Sequence, residues 1–541
     1  MMLPFSMADW LVIAAYVLLL VAGGWIFTPR KTASAHDYFL AGGNVPAWLA
    51  AVSVLSATQS AATFLGGPDY GYHGDLTYLS GNIGGLIGAI FVAHVLIPRF
   101  YAIRATTAYE LLTLRFSAKA TRWAGGMFLV GRVFAGGARV YLAAIALAMV
   151  ITGSVDAQGI MIAAAILVVA SVLFTFVGGL KSVLWNDLIQ FVVYLGSAIA
   201  VLVFLRLSIP ASNGEIIQAL AHTPEGANKL RLFDFSFDLS RPFSMLAVVT
   251  GLSLLYIANA GMDQDTTQRL LSCKDAKTGA RSLYLSVLAT VPVVGMFIVI
   301  DLMLYIFYDR PDLMGGTTAT TASAFGGEKI SIFMHYILTQ LPSGLRGLVT
   351  VGICAAAVAT TNSALNAMSS VLVQDFYRPW REKRGPVVEH HFVQAGRAGM
   401  GVIGFAMFLM AVVSFYWQRY SDMGLLEFAL QVMVFTYAGI LGVYFTALFT
   451  RRGTTGSVIA ALLIGFVVIL LLQPAIAHAI GLPLVLNGLS FPFQLCIGTL
   501  VAFLVCAAPA GAGHSLAPRA QIPEPTPETT PQPTAAKGSR I

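Results

Sequence analysis

Residues 355–370 read AAAVATTNSALNAMSS. The stretch lies in an apolar run long enough to cross a bilayer, yet Thr360, Thr361, Asn362, Ser363, Asn366, Ser369 and Ser370 fall at membrane depth. Two readings fit such a row. Small and hydroxylated residues let helices pack closely and share hydrogen bonds. Alternatively, hydroxyl and amide oxygens replace the water around a small hard cation such as Na+, with carbonyls of neighbouring helices completing its shell. On both readings the helix sits inside a bundle, because a lipid-facing helix gains nothing from these side chains.

The rest of the chain supplies that bundle. Of 541 residues, 57% are hydrophobic and 11% charged, where a soluble domain carries about a quarter charged residues. Apolar runs of bilayer length, about 20 residues, recur near 8–27, 45–66, 76–100, 123–152, 156–178, 183–206, 243–262, 282–307, 345–376, 394–417, 424–449, 454–472 and 483–507. These predict an all-α polytopic membrane domain over residues 1–507 with about thirteen membrane helices, plus a short surface helix near 328–340. The first run has Asp9 rather than basic residues before it and no small-residue cleavage site, so it reads as a retained helix. Residues 508–541, with PEPTPETTPQPT, read as a disordered Pro-rich cytoplasmic tail.

Basic residues orient the stack. Alternate loops hold Arg30 and Lys31, then Arg99, Arg104, Arg115, Lys119 and Arg122, then Lys181, then Arg269, Lys274, Lys277 and Arg281, then Arg378, Arg381, Lys383, Arg384 and Arg397, then Arg451 and Arg452. The opposite loops are poorer in bases and mix in acids, as Glu215, Glu225, Asp234 and Asp238 do. This predicts a multi-pass protein of the cell (inner) membrane with its N-terminus outside and its C-terminus cytoplasmic. The net charge of +7 is mostly this bias and calls for no nucleic acid; the expected partners are the bilayer and a small solute, with no obligate protein. Cys273, Cys354, Cys496 and Cys506 show neither a disulfide framework nor metal-ligand spacing.

Ionisable groups within membrane helices are costly and point to function. Arg132 and Arg139 are seven residues apart, on nearly one helical face. Asp187 lies in WNDLIQ about one turn from a cytoplasmic loop, and Asp301 near the outer end of its helix. For the arginines, a salt bridge inside the bundle competes with a solute-binding role; for Asp301, a place near the interface favours a structural one. An unpaired carboxylate at Asp187 would need a cation.

The run 52–72, VSVLSATQSAATFLGGPDYGY, carries Ser56, Thr58, Gln59, Ser60 and Thr63 and then Gly66, Gly67 and Pro68. Such hydroxyls compete for backbone hydrogen bonds and predict a broken helix. SLLYIANAGMDQD at 253–265, with Tyr256, Asn259, Gly261 and Asp263, is a matching candidate. Paired interrupted helices in two halves are a pointer to a transporter built on inverted repeats.

GGLKSVLWNDLIQ (178–190), DQDTTQRLL (263–271) and SALNAMSSVLVQDFY (363–377) resemble, in that order, motifs of the sodium/solute symporter family, which includes sodium-coupled sugar, proline, iodide and sialic acid transporters. The resemblance runs from about residue 9 to 507. It implies a leucine-transporter-like fold with two five-helix inverted repeats, and Na+-driven uptake of a small organic solute by alternating access. By position, the family's common sodium site takes carbonyls of Ser56, Gln59 and Ala356 and a hydroxyl pair at 359 and 360. Ala359 departs from that pattern, leaving Thr360 as the pair's side-chain ligand. A second sodium site of some members matches Asp187, with Asn362 and Ser363. Thr58 stands where the proline branch has an aspartate. The sialic acid branch matches at Thr58, Ser60, Thr63 and Arg132, and Asn82 falls at a polar contact of sugar and sialic acid members. Arg139, Tyr256, Asn259 and Gln431 complete the candidate solute contacts. Independently of the resemblance, a guanidinium facing the cavity suits a carboxylate such as a sialic acid or a monocarboxylate. A neutral sugar is the alternative.

An enzyme would want a catalytic pair in the membrane, and His94 and His335 show no evident partner, so no enzymatic activity is expected. A transport-like sensor would want an output domain.

Overall fold

The computed structural model describes residues 5–27, 34–60, 63–64, 70–151, 156–316, 324–325, 328–329, 332–419, 425–483, 486 and 488–509. Within a bilayer each backbone N–H and C=O must find a partner inside the protein, and a helix satisfies them locally. The apolar runs accordingly become helices: α1 (Met7–Phe27), α2 (Ala47–Thr58), α3 (Thr77–Ala102), α4 (Ala118–Ile151), α5 (Ala157–Phe176), α6 (Gly179–Ser208), α7 (Met245–Gly261), α8 (Gln264–Leu271), α9 (Ala276–Asp309), α10 (Ile332–Thr339), α11 (Leu345–Glu382), α12 (Glu389–Gln418), α13 (Glu427–Phe449), α14 (Thr455–Leu471) and α15 (Phe491–Ala507). Nine of these are long and apolar enough to cross a membrane, or ten if α7 and α8, bent by 53° at their junction, form one span; α2, α14 and α15 are shorter. Each run read from the sequence overlaps one of these helices. The short helix expected along the surface near 328–340 is α10, but six of its eight residues are buried, because its apolar side chains pack into the protein; it follows a two-residue antiparallel pairing of Ala324–Phe325 with Glu328–Lys329. The Pro-rich tail from residue 510, and Gly66, Gly67, Pro68, Arg30 and Lys31, lie outside the described residues.

The helices are not equivalent. In the most apolar stretch of α11, 89% of residues are buried, against 17% in α1. The helix bearing the polar row is therefore the centre of the bundle, whereas α1 presents most of its surface outward. Close packing admits it: a Cβ on Gly352 of α11 would fall 2.0 Å from the Ser197 hydroxyl of α6.

Both expected interruptions are present. Helix α2 stops at Thr58 because Gln59 turns extended (φ −78°, ψ 116°). Helix α7 stops before Asp263 (φ −90°, ψ 121°), whose carboxylate caps α8 by accepting from the Asp265 amide at 2.9 Å. A helix that ends in mid-bundle leaves its last carbonyls without the amides of a following turn. A third bend separates α5 from α6 at Gly179 (φ 59°), where a Cβ would fall 2.5 Å from the Tyr38 carbonyl oxygen, so only glycine fits. Asp301 is fully buried and accepts from the Gly71 amide at 3.0 Å; its carboxylate ties α9 to the segment after the first interruption, a structural role.

Candidate functional site

A cavity of about 130 Å3 lies beside the two interrupted helices. Thr58, Gln59, Ser60 and Thr63 line it from the end of α2, Asn82 from α3, Arg139 from α4, and Tyr256 and Asn259 from α7. Gln59 is a candidate sodium ligand; the others are candidate solute contacts, drawn from four separate stretches and brought together on one wall. Two of them are engaged locally: the Thr58 hydroxyl donates to the Leu55 carbonyl (2.9 Å) and the Asn82 amide to the Leu79 carbonyl (2.9 Å). Such bonds fix rotamers while leaving lone pairs free to accept. Ser286 and Thr290 of α9 also line the wall. Their sequence signal is a hydroxyl pair at i, i+4 in a membrane helix.

Two expected contacts lie elsewhere. Gln431 is not on the wall, although Leu430 and Met433 beside it are; its amide donates to Gln473 Oε1 at 2.6 Å. Arg132 is not on the wall either. Its guanidinium is 5% exposed and paired with Asp263 (3.3 Å) and Asp265. The competing reading, a salt bridge inside the bundle, is the one that holds for Arg132. Asp263 also accepts from the Tyr437 hydroxyl at 2.6 Å, and Tyr437 reaches Asn259 on the wall at 3.4 Å. Arg139 differs. It is half-buried, its guanidinium rests against the Met433 sulfur at 3.5 Å, and it has no carboxylate partner among the described residues. It also lines a narrow crevice with Arg132, Thr360 and Thr361, so it stands where the cavity meets the polar row of α11.

In that row, the Thr360 hydroxyl lies 3.1 Å from the Ala356 carbonyl oxygen and 3.0 Å from that of Ala357. Helix α11 packs against α2, whose final turn holds the Ser56 carbonyl. Ala356, Ala359 and Thr360 are buried, as are Ser56 and Gln59. The residues expected at the common sodium site thus lie on two touching helices, at the end of one and the middle of the other.

The second group is rearranged. Asp187 is fully buried but not unpaired: Arg269 Nη2 lies 3.1 Å from its Oδ2, and the Ser53 hydroxyl donates to the same oxygen. Ser363 accepts from Arg269. Asn362 turns away, its amide nitrogen donating to the Ser171 carbonyl (3.1 Å) and the Thr175 hydroxyl (3.3 Å) of α5. Arg269 is buried inside the bundle on α8 and is not one of the loop charges that orient the chain. Its only local signal is Asp265, four residues earlier, which it also pairs at 2.6 Å.

A bent pair of interrupted helices, a polar cavity at their breaks and a hydroxyl-rich central helix describe an ion-coupled carrier. The sodium:solute symporter family model matches residues 38–465. The chain belongs to that family. It is a sodium-coupled symporter, with Na+ as its coupling ion. This symporter is similar to the sodium/sialic acid symporter SiaT of Proteus mirabilis, 25% identical over 470 residues that make up 86% of this chain and 89% of that protein. It is also similar to the sodium/sialic acid symporter NanT of Aliivibrio fischeri, 26% identical over 514 residues, 93% of this chain and 92% of that one. The human sodium-coupled monocarboxylate transporter 2 is 27% identical over 382 residues, 69% of this symporter and 58% of its own length. Among solved structures, a Na+-coupled sialic acid symporter in a substrate-bound outward-open state superposes with a TM-score of 0.76 at 22% identity, covering 94% of this chain and 99% of that one. The fold is the leucine-transporter-like one, in a multi-pass membrane protein.

Proposed function

We propose that this symporter takes up a small solute bearing a carboxylate and several hydroxyl groups, a sialic acid or a related sugar acid, with Arg139 as the carboxylate's partner. One observation carries the reading: of the two membrane-embedded arginines on α4, Arg132 is neutralised by two aspartates, while Arg139 reaches the cavity wall and forms no salt bridge with a carboxylate among the described residues. A guanidinium facing a cavity in low dielectric favours an anion that accepts two parallel hydrogen bonds. The uncharged remainder of the wall, Thr58, Ser60, Thr63, Asn82, Tyr256, Asn259, Ser286 and Thr290, suits hydroxyls better than the bare methyl of a small monocarboxylate. The names of the two bacterial relatives agree with that chemistry. Arg132 is a positioning residue that holds Asp263 and Asp265 at the second helix break.

Sodium would be held first by the carbonyls of Ser56, Gln59 and Ala356 and the hydroxyl of Thr360, beside Ala359. A second ion would be held at Asp187 with Ser363. The N-terminus would face outside, and the tail from residue 508 the cytoplasm, as the remaining basic loops suggest.

The density of uncharged polar groups on the wall also supports a second reading, a neutral sugar. Thermal melting of the purified chain against sialic acids, monocarboxylates and neutral sugars, in Na+ and in K+, separates the two. A ligand stabilises the folded state according to its occupancy. The expected result is a sodium-dependent rise with a hydroxylated acid and none with its neutral analogue. An equal rise with the neutral analogue favours the sugar.

A further inference from the structure

A guanidinium has five N–H donors, and each one on Arg269 has an acceptor. Nε donates to the Ser53 hydroxyl (2.7 Å), Nη1 to the carbonyl (2.7 Å) and carboxylate (2.6 Å) of Asp265, and Nη2 to Asp187 Oδ2 (3.1 Å) and the Ser363 hydroxyl. The side chain is 1% exposed. The two groups on Nη2 are the carboxylate and hydroxyl that would ligate a second sodium ion. A tethered cation therefore already stands among those ligands.

We infer that Arg269 and the second sodium ion alternate at Asp187, each displacing the other. This rests on the reading of Asp187 as a sodium ligand. Two positive charges on one buried carboxylate repel with little solvent to screen them, so both cannot share it. The remaining Asp187 oxygen, Oδ1, is buried and finds no hydrogen-bond donor among the described residues. It offers an incoming ion a first ligand as Arg269 leaves. Arg269 can leave without losing its own counter-charge, because Asp265 lies one helical turn away on α8 and stays with it.

The exchange has a mechanical consequence. Through Arg269, α8 is tied to α2 (Ser53), α6 (Asp187) and α11 (Ser363). Sodium at Asp187 releases all three ties at once. Helix α8 begins at the break whose Asp263 holds Tyr437 and Arg132, and Tyr437 touches Asn259 on the cavity wall. Occupancy of the cation site is thereby passed to the solute site through one half-helix.

Equilibrium binding of radioactive sodium to the purified full chain, without solute, tests this. Asp187→Asn defines the component of sodium binding that belongs to this site. Arg269→Gln removes the competitor, and the half-saturating Na+ concentration of that component should fall severalfold. Arg269→Lys keeps a charge but cannot hold Ser53, Asp265, Asp187 and Ser363 together, so it should produce a smaller fall; it decides alone if Arg269→Gln does not fold. An unchanged or raised half-saturation in the folded Arg269 variants, with Asp187→Asn still weakening binding, overturns the exchange and leaves Asp187 a sodium ligand with a structural arginine. If Asp187→Asn leaves sodium binding intact, the sodium-ligand reading itself fails, and the exchange with it.

Discussion

Arg346 Nη2 lies 2.8 Å from Asp9 Oδ2, in an ion pair that exposes almost nothing of either side chain and joins α11 to α1 across 337 positions of sequence. The other Asp9 oxygen accepts from the Gly344 and Gly347 amides, at 2.8 Å each. One carboxylate thus caps the first turn of the central helix and neutralises its arginine, where the helix dipole also favours negative charge. The outermost helix is thereby fastened to the one that carries the proposed cation ligands.

Breaking that pair should be costly. Asp9→Ala leaves a buried guanidinium without its carboxylate, a loss of about 3–5 kcal/mol. Melting of the detergent-solubilised chain should show a large drop, and Asp9→Ala with Arg346→Met together should recover most of it. A single variant that melts with the wild type would reduce the contact to a passive neighbour.

Much of this arrangement was legible in the sequence, and the limits have a physical cause. The polar row of α11 and the hydroxyls around Gln59 announced themselves because membrane depth makes each unsatisfied polar group expensive, so their presence implied a bundle interior and a broken helix. Cavity residues followed from their register on those helices. The partners of the charges did not follow. Arg132 meets carboxylates 131 and 133 residues away, and Asp187 meets Arg269 82 residues away. Such pairings are set by how helices cross, which no local pattern encodes. Arg269 is hidden further by Lys274, Lys277 and Arg281, which follow closely and make it look like one more charge of a basic loop.

Thr360→Ala should weaken sodium dependence more than Thr361→Ala. Neighbours on a helix point about 100° apart, and in the proposed first sodium site Ala359 leaves Thr360 as the side-chain ligand. Both hydroxyls are buried and both bond back to the Ala357 carbonyl, at 3.0 and 2.8 Å, so packing losses should be comparable and cancel in the comparison. Uptake measured against Na+ concentration should show the larger rise in half-saturation for Thr360→Ala. Equal values would remove Thr360 from the site.

Asp234 lies between α6 and α7, outside the membrane helices. Burial alone would raise its pKa, but the Ser236 amide (3.0 Å) and the Arg241 guanidinium (3.0 Å) outweigh it and hold the carboxyl below its ordinary 3.8. A carboxylate whose folded pKa is depressed stabilises the fold above its unfolded pKa, and that contribution is lost as pH falls through the folded value. Asp234→Asn should therefore melt below the wild type at neutral pH, and the gap should close below pH 3.8. A gap that does not change with pH would mean that the charge contributes nothing.

Arg139 and Arg132 should fail in different ways. Arg139→Lys keeps a charge at the wall but loses the planar fork, so the acid's half-saturation for uptake should rise by roughly 10-fold or more, the equivalent of about 1.5–3 kcal/mol for a charged hydrogen bond. The maximal rate and the melting temperature should change little, since no carboxylate in the protein depends on Arg139 among the described residues. Arg132→Gln instead leaves Asp263 and Asp265 without their guanidinium at the second helix break, so melting and maximal rate should fall while the half-saturation of whatever activity survives stays close to the wild type. The separation can be read with one labelled acid and its neutral amide as competitor. Against the wild type the amide should compete poorly, and against Arg139→Gln the advantage of the acid should shrink or vanish. If the amide competes as well as the acid in the wild type, or if Arg132→Gln carries the affinity loss instead, Arg139 is not the carboxylate's partner.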